Sequence, residues 1–125
     1  MQSPSRPVVV LATGGTIAGT APRAGDNIGY TAGTVGVDDL VAAVPALAGQ
    51  AIETEQVAQV DSKDMDFALW LRLAQRVAQH LARAEVAGVV VTHGTDTLEE
   101  TAYFLQRVLA PARIFCSIAA SRKWR

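Results

Sequence analysis

The sequence has little of what marks an exported, cross-linked or nucleic-acid-binding protein. Of 125 residues only Cys116 is cysteine, which excludes an intramolecular disulfide framework and a multi-cysteine zinc site, and fits a reducing compartment. Neither charge sign dominates. Eleven Lys and Arg against twelve Asp and Glu leave a net charge of −1, so bulk electrostatics draws the chain to neither nucleic acid nor an acidic membrane. Long apolar runs are missing as well. Only five apolar residues, Val8 to Ala12, follow Arg6 before a Thr-Gly-Gly turn, too few for a secretory signal and far below the roughly 18 a membrane helix needs. No signal peptide is visible, and a cytoplasmic location is expected. Aromatics are scarce, at three Phe, two Tyr and two Trp, so Ala, Val and Leu must build the core.

What is present suits one folded domain. Half the residues are hydrophobic and the mean hydropathy is +0.21, and a chain of this length buries roughly two-thirds of its unfolded surface. Val8 to Ala12, apolar and rich in β-branched residues, reads as a strand covered on both faces. Seven glycines between Thr13 and Val37 leave no helical period, which makes that stretch a long loop of the kind that covers a site. Asp38 can cap a short helix through Val44, ended by Pro45, and Ile52 to about Val60 reads as extended. Phe67, Trp70, Leu71, Ala74, Val77, Ala78, Leu81 and Ala82 recur at helical spacing, with Asp64 and Asp66 at the favourable end of the dipole. Val86 to Thr92 reads as a second buried strand. A helix follows with Leu98, Ala102, Leu105 and Leu109 on one face, Thr97 and Glu100 at capping-box spacing, and Pro111 as its stop. Ile114 to Ile118 can form an edge strand. Alternating strands and helices predict an α/β fold: a parallel, Rossmann-like or flavodoxin-like sheet with flanking helices.

Two strands run into loops rich in glycine and hydroxyl groups, Thr-Gly-Gly-Thr after the first and Thr-His-Gly-Thr-Asp after the later one. In an open parallel sheet such loops can share a cleft beyond the carboxyl ends of the strands. Thr13 to Gly19 fits neither GxGxxG nor GxxxxGK[ST], which argues against a nucleotide cradle. It offers two hydroxyls, Thr13 and Thr16, beside glycines such as Gly15 whose backbone a ligand can approach closely. A threonine hydroxyl is a weak nucleophile that needs a base or relay, and amide hydrolysis also needs donors for the oxyanion; a Gly-Gly backbone with a nearby threonine can supply them. His93 to Asp96 reads either as a helix cap or as polar groups aimed into the cleft, with Asp96 suited to an ammonium. His93 has no second His or Cys at ligand spacing, so it is read as structural, as is His80 among Arg76, Gln79 and Arg83. No metal site is expected.

TGGTIAG and VVVTHGTDTLEETAYFL resemble the two signature segments of the bacterial-type L-asparaginases, a family that includes asparaginase-glutaminases. Tyr30-Thr31-Ala32-Gly33 resembles its flexible-loop tyrosine segment, followed by Val35-Gly36-Val37, and Asp61 to Met65 is similar to its substrate-binding stretch. The resemblance covers about Val8 to Leu109. It implies that Thr16 is the nucleophile attacking the side-chain amide carbon, releasing ammonia and leaving an acyl-enzyme for water. It implies that Tyr30 activates that hydroxyl, that Thr95 acts on the water or the oxyanion, and that Asp96 binds the substrate's α-amino group. Ser62 matches the carboxylate-binding residue, with Lys63 beside it. The implied substrate is L-asparagine, with L-glutamine as a second candidate, and no cofactor is needed. Full-length members are homotetramers with a second, smaller domain, and a neighbouring subunit completes each site.

The chain also departs from that pattern. Family members pair the second threonine and the aspartate with a downstream lysine, whereas the lysines here are Lys63 and Lys123. The expected division is an N-terminal tail (1–7), an incomplete α/β domain (8–110) truncated relative to the family's N-terminal domain, and a divergent tail (111–125). That last segment reads as a solvated terminus or, preferably, as a frameshifted or prematurely ended frame, because a truncated parallel sheet exposes an unpaired edge. Three functions follow in order: an L-asparaginase; a catalytically incompetent N-terminal fragment of one; and the amidase module of a tRNA-dependent amidotransferase.

Overall fold

A computed structural model describes residues 5–15 and 36–109 in full and residues 115–118 in backbone only. Four strands, β1 (Val8–Gly14), β2 (Ile52–Val60), β3 (Gly88–Thr92) and β4 (Phe115–Ile118), form one sheet in the order β2-β1-β3-β4, with every described pair parallel. Helices α1 (Val37–Ala42), α2 (Phe67–Ala82) and α3 (Leu98–Leu109) connect or flank them. The α/β reading therefore holds. From β1 the chain moves to one side to make β2 and to the other to make β3, so the gap between the carboxyl ends of β1 and β3 is the sheet's switch point.

The register assigns the faces. Val9 lies opposite Glu53 and Val89, and Leu11 opposite Glu55 and Val91, so these residues share one side of the sheet. On that side Val9, Leu11, Val57, Val89 and Val91 pack with Leu73, Ala74 and Val77 of α2 and Leu105 of α3, all of them buried. The other face differs from expectation. Val8, Val10 and Val90 are only half-buried, because among the described residues that side receives just the six-residue α1, docked on β2 through Val37 N–H to Gln56 Oε1 and Thr54 to Asp38.

Several local expectations shift. Gly36, not Asp38, caps α1, which ends at Ala42, and Pro45 opens a 3-10 turn rather than terminating the helix. Asp66 caps α2 by accepting Leu69 N–H at 2.8 Å, whereas Asp64 belongs to the preceding 3-10 turn. The buried stripe of α2 runs through Leu73, Ala74, Val77 and His80; Phe67, at 83% exposure, and Leu71 lie outside it. The buried face is rotated from the apolar stripe because His80, a polar residue, occupies a core-facing position. The hydroxyl of Thr97 donates to the Ser62 carbonyl at 2.7 Å instead of closing a capping box. At the amino end, Arg6 Nη2 donates to the carbonyls of Ala84 and Val86, each at 2.9 Å, which ties the start of β1 to the turn before β3.

Between β2 and α2 the charged residues pair across the interface. Arg76 grips both oxygens of Glu55, at 2.5 and 2.8 Å, and Arg83 both oxygens of Glu53, at 2.7 and 2.9 Å. His80 Nε2 lies 2.6 Å from Glu55, while its Nδ1 faces Arg83 at 3.3 Å. Chiefly through the Arg76 hydrogen bonds, the Glu55 carboxyl is held at about 2 instead of the ordinary 4.5. A carboxyl with a depressed folded-state pKa stabilises the fold above its unfolded value and loses that contribution as pH falls toward the folded one. In urea unfolding, the stability gap between the wild type and Glu55→Gln should therefore be full above pH 4.5 and close progressively toward pH 2. A gap that does not change with pH would contradict the ion-pair assignment.

Candidate active site

Three loops leave the carboxyl edge of the sheet and meet. β1 ends in Gly14 and Gly15, and Gly15 N–H donates to Val60 O, the last residue of β2, at 2.8 Å. After β2, Asp61 caps the 3-10 turn Ser62–Asp64, with its side chain accepting Lys63 N–H. After β3 come His93, Gly94, Thr95, Asp96 and Thr97. Thr13 Oγ1 donates to Thr92 O at 2.8 Å, which locks the ends of β1 and β3 together.

The backbones of the first and third loops touch. Gly15 adopts φ +81°, and a Cβ there would strike Gly94 N and Cα. A Cβ on Gly94 would lie 2.5 Å from Ser62 Oγ and 3.0 Å from Gly15 Cα. Both positions therefore require glycine on steric grounds, and Gly15 also on conformational ones. Ser62, only 4% exposed, is the hub. Its Oγ accepts Asp96 N–H at 3.1 Å and its carbonyl accepts the Thr97 hydroxyl at 2.7 Å. An oxygen that accepts from Asp96 keeps its own proton free to donate to a ligand.

The sequence-predicted residues divide into three groups. Gly15, Ser62, Thr95 and Asp96 come together; the last two have exposed side chains on the same loop. Gly15 contributes close approach rather than a donor, since Val60 takes its N–H. Lys63 is adjacent, but its ammonium lies 2.9 and 2.8 Å from the two oxygens of Asp64, which raises its pKa, with Asp61 and Asp96 adding weaker attraction. That pair is exposed, so its contribution to stability is small. Thr16, which follows Gly15 directly, and Tyr30 lie outside the described residues. Among the described residues no group of three or more His, Cys, Asp or Glu is placed to hold a metal ion.

His93 lies in the interior beneath the third loop. It is fully buried, with Nδ1 2.7 Å from Gly94 O and Nε2 2.8 Å from Thr101 Oγ1, and burial lowers its pKa. Sequence reading missed Gly94, Thr97 and Thr101 as parts of this arrangement. Thr97 stands at capping-box spacing and Thr101 within a helix, and nothing in a one-dimensional pattern shows that they reach Ser62 and His93.

A parallel α/β domain with a polar, glycine-crossed site at its switch point is a small-molecule-binding class of fold. Residues 7–115 match the family model "Asparaginase, N-terminal", and the chain belongs to that family. It is 49% identical over 102 residues to the glutaminase-asparaginase of Pseudomonas fluorescens biotype A, covering 81% of this chain and 28% of that protein. It is 50% identical over 97 residues to L-asparaginase 2 of Bacillus subtilis, covering 77% of this chain and 26% of that protein. The crystal structure of a probable cytoplasmic L-asparaginase from Campylobacter jejuni superposes with a TM-score of 0.74 at 49% identity, over 81% of this chain and 31% of that one. The chain thus spans about a quarter to a third of the length of these relatives.

The glycine crossing yields a direct test. Gly94→Ala should destabilise the protein by more than about 2 kcal/mol in urea, because its methyl group meets buried Ser62 and the Gly15 backbone. Gly36→Ala, whose added Cβ has nothing within 4 Å, should cost no more than about 1 kcal/mol, the loss expected from alanine at the N-cap of α1. Equal costs at the two positions would show that the loops do not cross as described.

Proposed function

We propose that this chain carries an L-asparaginase site that hydrolyses L-asparagine to L-aspartate and ammonia, with L-glutamine as a second substrate. The observation that carries the reading is the meeting of Gly15, Ser62 and Asp96 at the β1/β3 switch point, in a chain about half identical to L-asparaginases across that region. A small zwitterion needs an anion for its ammonium and a donor for its carboxylate. Asp96 and the Ser62 hydroxyl have those characters and are held side by side by the Asp96 N–H bond.

In this reading Thr16 Oγ attacks the amide carbon of the bound side chain. Its proton passes through Tyr30 to the departing nitrogen, the C–N bond breaks, and ammonia leaves a Thr16 ester. Water, oriented by Thr95, then attacks the ester carbonyl; L-aspartate departs and the Thr16 hydroxyl is restored. No step calls on a cofactor. The substrate is a small molecule, and we place the reaction in the cytoplasm, the location in the name of the similar Campylobacter jejuni protein. Among the described residues no helix is long and apolar enough to cross a membrane.

A second reading, a chain that binds the ligand without turning it over, is favoured by one observation. Lys63 is the only lysine among the described residues and is committed to Asp64, so no described lysine joins Thr95 and Asp96 in a relay. Ammonia release from L-asparagine by the purified chain, beside Thr16→Ala, separates the two. The asparaginase reading expects turnover in the wild type and a loss of at least about 10³-fold in Thr16→Ala, as for removal of a nucleophile. Folded wild-type protein that binds L-aspartate but releases no ammonia would leave the second reading in its place.

A further inference from the structure

Three buried or half-buried groups take no part in the proposed reaction, yet they form a directional chain ending on the peptide that carries Thr95. Trp70 Nε1, which can only donate, lies 2.8 Å from Thr101 Oγ1. Thr101 Oγ1 lies 2.8 Å from His93 Nε2, and His93 Nδ1 lies 2.7 Å from Gly94 O. A carbonyl can only accept, so Nδ1 must hold a proton. Trp70 already occupies an acceptor site on Thr101, and the remaining partner of the Thr101 O–H is Nε2, which must then be unprotonated. Of the ring's possible states, the neutral Nδ1–H form alone satisfies every group in the chain. His93 and Thr101 are both 0% exposed, so solvent does not offer Thr101 a substitute partner.

We propose that Thr101 is a positioning residue: its hydroxyl, accepting from Trp70 and donating to His93 Nε2, holds the imidazole where its Nδ1–H reaches Gly94 O, and so sets the orientation of the Gly94–Thr95 peptide and the placement of Thr95. The peptide is planar and trans, so a Gly94 carbonyl held toward His93 turns the Thr95 N–H the opposite way. The effect on Thr95 rests on the asparaginase reading above, while the tautomer does not. The geometry also separates two consequences. Asp96 and Thr97 are anchored independently, by their bonds to Ser62, so ligand binding is insulated from the relay. Loss of the relay acts on Thr95 and hence on turnover.

The test uses the full chain labelled with 15N, as the wild type, Thr101→Val and Thr101→Ser. Long-range 15N–1H spectra of the His93 ring report which nitrogen carries the proton, and the Thr95 amide resonance reports the peptide. The wild type should show a single Nδ1–H tautomer, an arm that requires no variant to fold. Thr101→Val removes the donor to Nε2 while Gly94 O still holds the Nδ1 proton, so it should shift the His93 Nε2 resonance and the Gly94 and Thr95 amides, with Val9 and Leu11 unmoved, and Thr101→Ser should restore the wild-type shifts. In the ammonia assay kcat should fall about tenfold in Thr101→Val with KM near the wild-type value, as expected for a small displacement of a reacting group. A wild-type His93 with its proton on Nε2 or on both nitrogens overturns the proposal. So does a Thr101→Val variant that keeps the wild-type Thr95 resonance, or a KM that rises in step with the fall in kcat. Absence of turnover in the wild type counts against the asparaginase reading alone and leaves the tautomer result decisive.

Discussion

The site depends on one contact: the backbone of Gly15 lies against the backbone of Gly94, with Ser62 wedged beside them. Parallel strands bring their carboxyl ends to one edge, but they do not by themselves bring the following loops into touch. Here the absence of two side chains does so. With Gly15 and Gly94 in van der Waals contact, Ser62 is close enough for its Oγ to take the Asp96 N–H and its carbonyl to take the Thr97 hydroxyl. Thr13, just upstream, closes the same edge through Thr92. The polar groups that would bind a ligand are thus held by backbone contact and by the short side chains of Ser62, Thr97 and Thr13.

The two sides of the molecule are stabilised by different means. Behind the site, aliphatic side chains of β1 and β3 pack against α2 and α3, and burial of that apolar surface drives the fold. Toward β2 the same face becomes charged, because Glu53 and Glu55 alternate into the position that Val89 and Val91 hold on the other side of β1. Arg76, His80 and Arg83 of α2 answer them. Glu55, at 27% side-chain exposure, is far enough from bulk water for its pairing to shift its titration strongly, whereas Lys63 and Asp64 at the site remain open to solvent.

The strands and helices were legible because β1 and β3 are built on apolar runs that a glycine follows within three residues, and because α2 and α3 carry helical periodicity. The site was legible in part. Gly15, Ser62 and Asp96 stand in motifs specific enough to name a family, and the strand-end rule places two of those loops at one edge. Other features depend on contacts across long sequence separations. The rotation of α2 is set by His80 meeting Glu55, and the role of Thr101 by its reach to His93; neither leaves a periodic trace. The half-buried face of β1 was also invisible, since Val8 and Val10 look identical to Val9 in composition and differ only in what packs on them. Thr16 and Tyr30 rest on motif resemblance and on the adjacency of Thr16 to Gly15.

The central claim is that three loops form a single ligand site, and a titration of the 15N-labelled chain with L-aspartate, followed by amide chemical shifts, tests it most directly. The account predicts that the largest changes fall together, with one dissociation constant, on Gly15, Ser62 and Gly94 to Asp96, while Glu53, Glu55 and the α2 amides near His80 stay still. Changes confined to one loop, different constants for different loops, or a footprint centred on the β2–α2 charge pairs would contradict it.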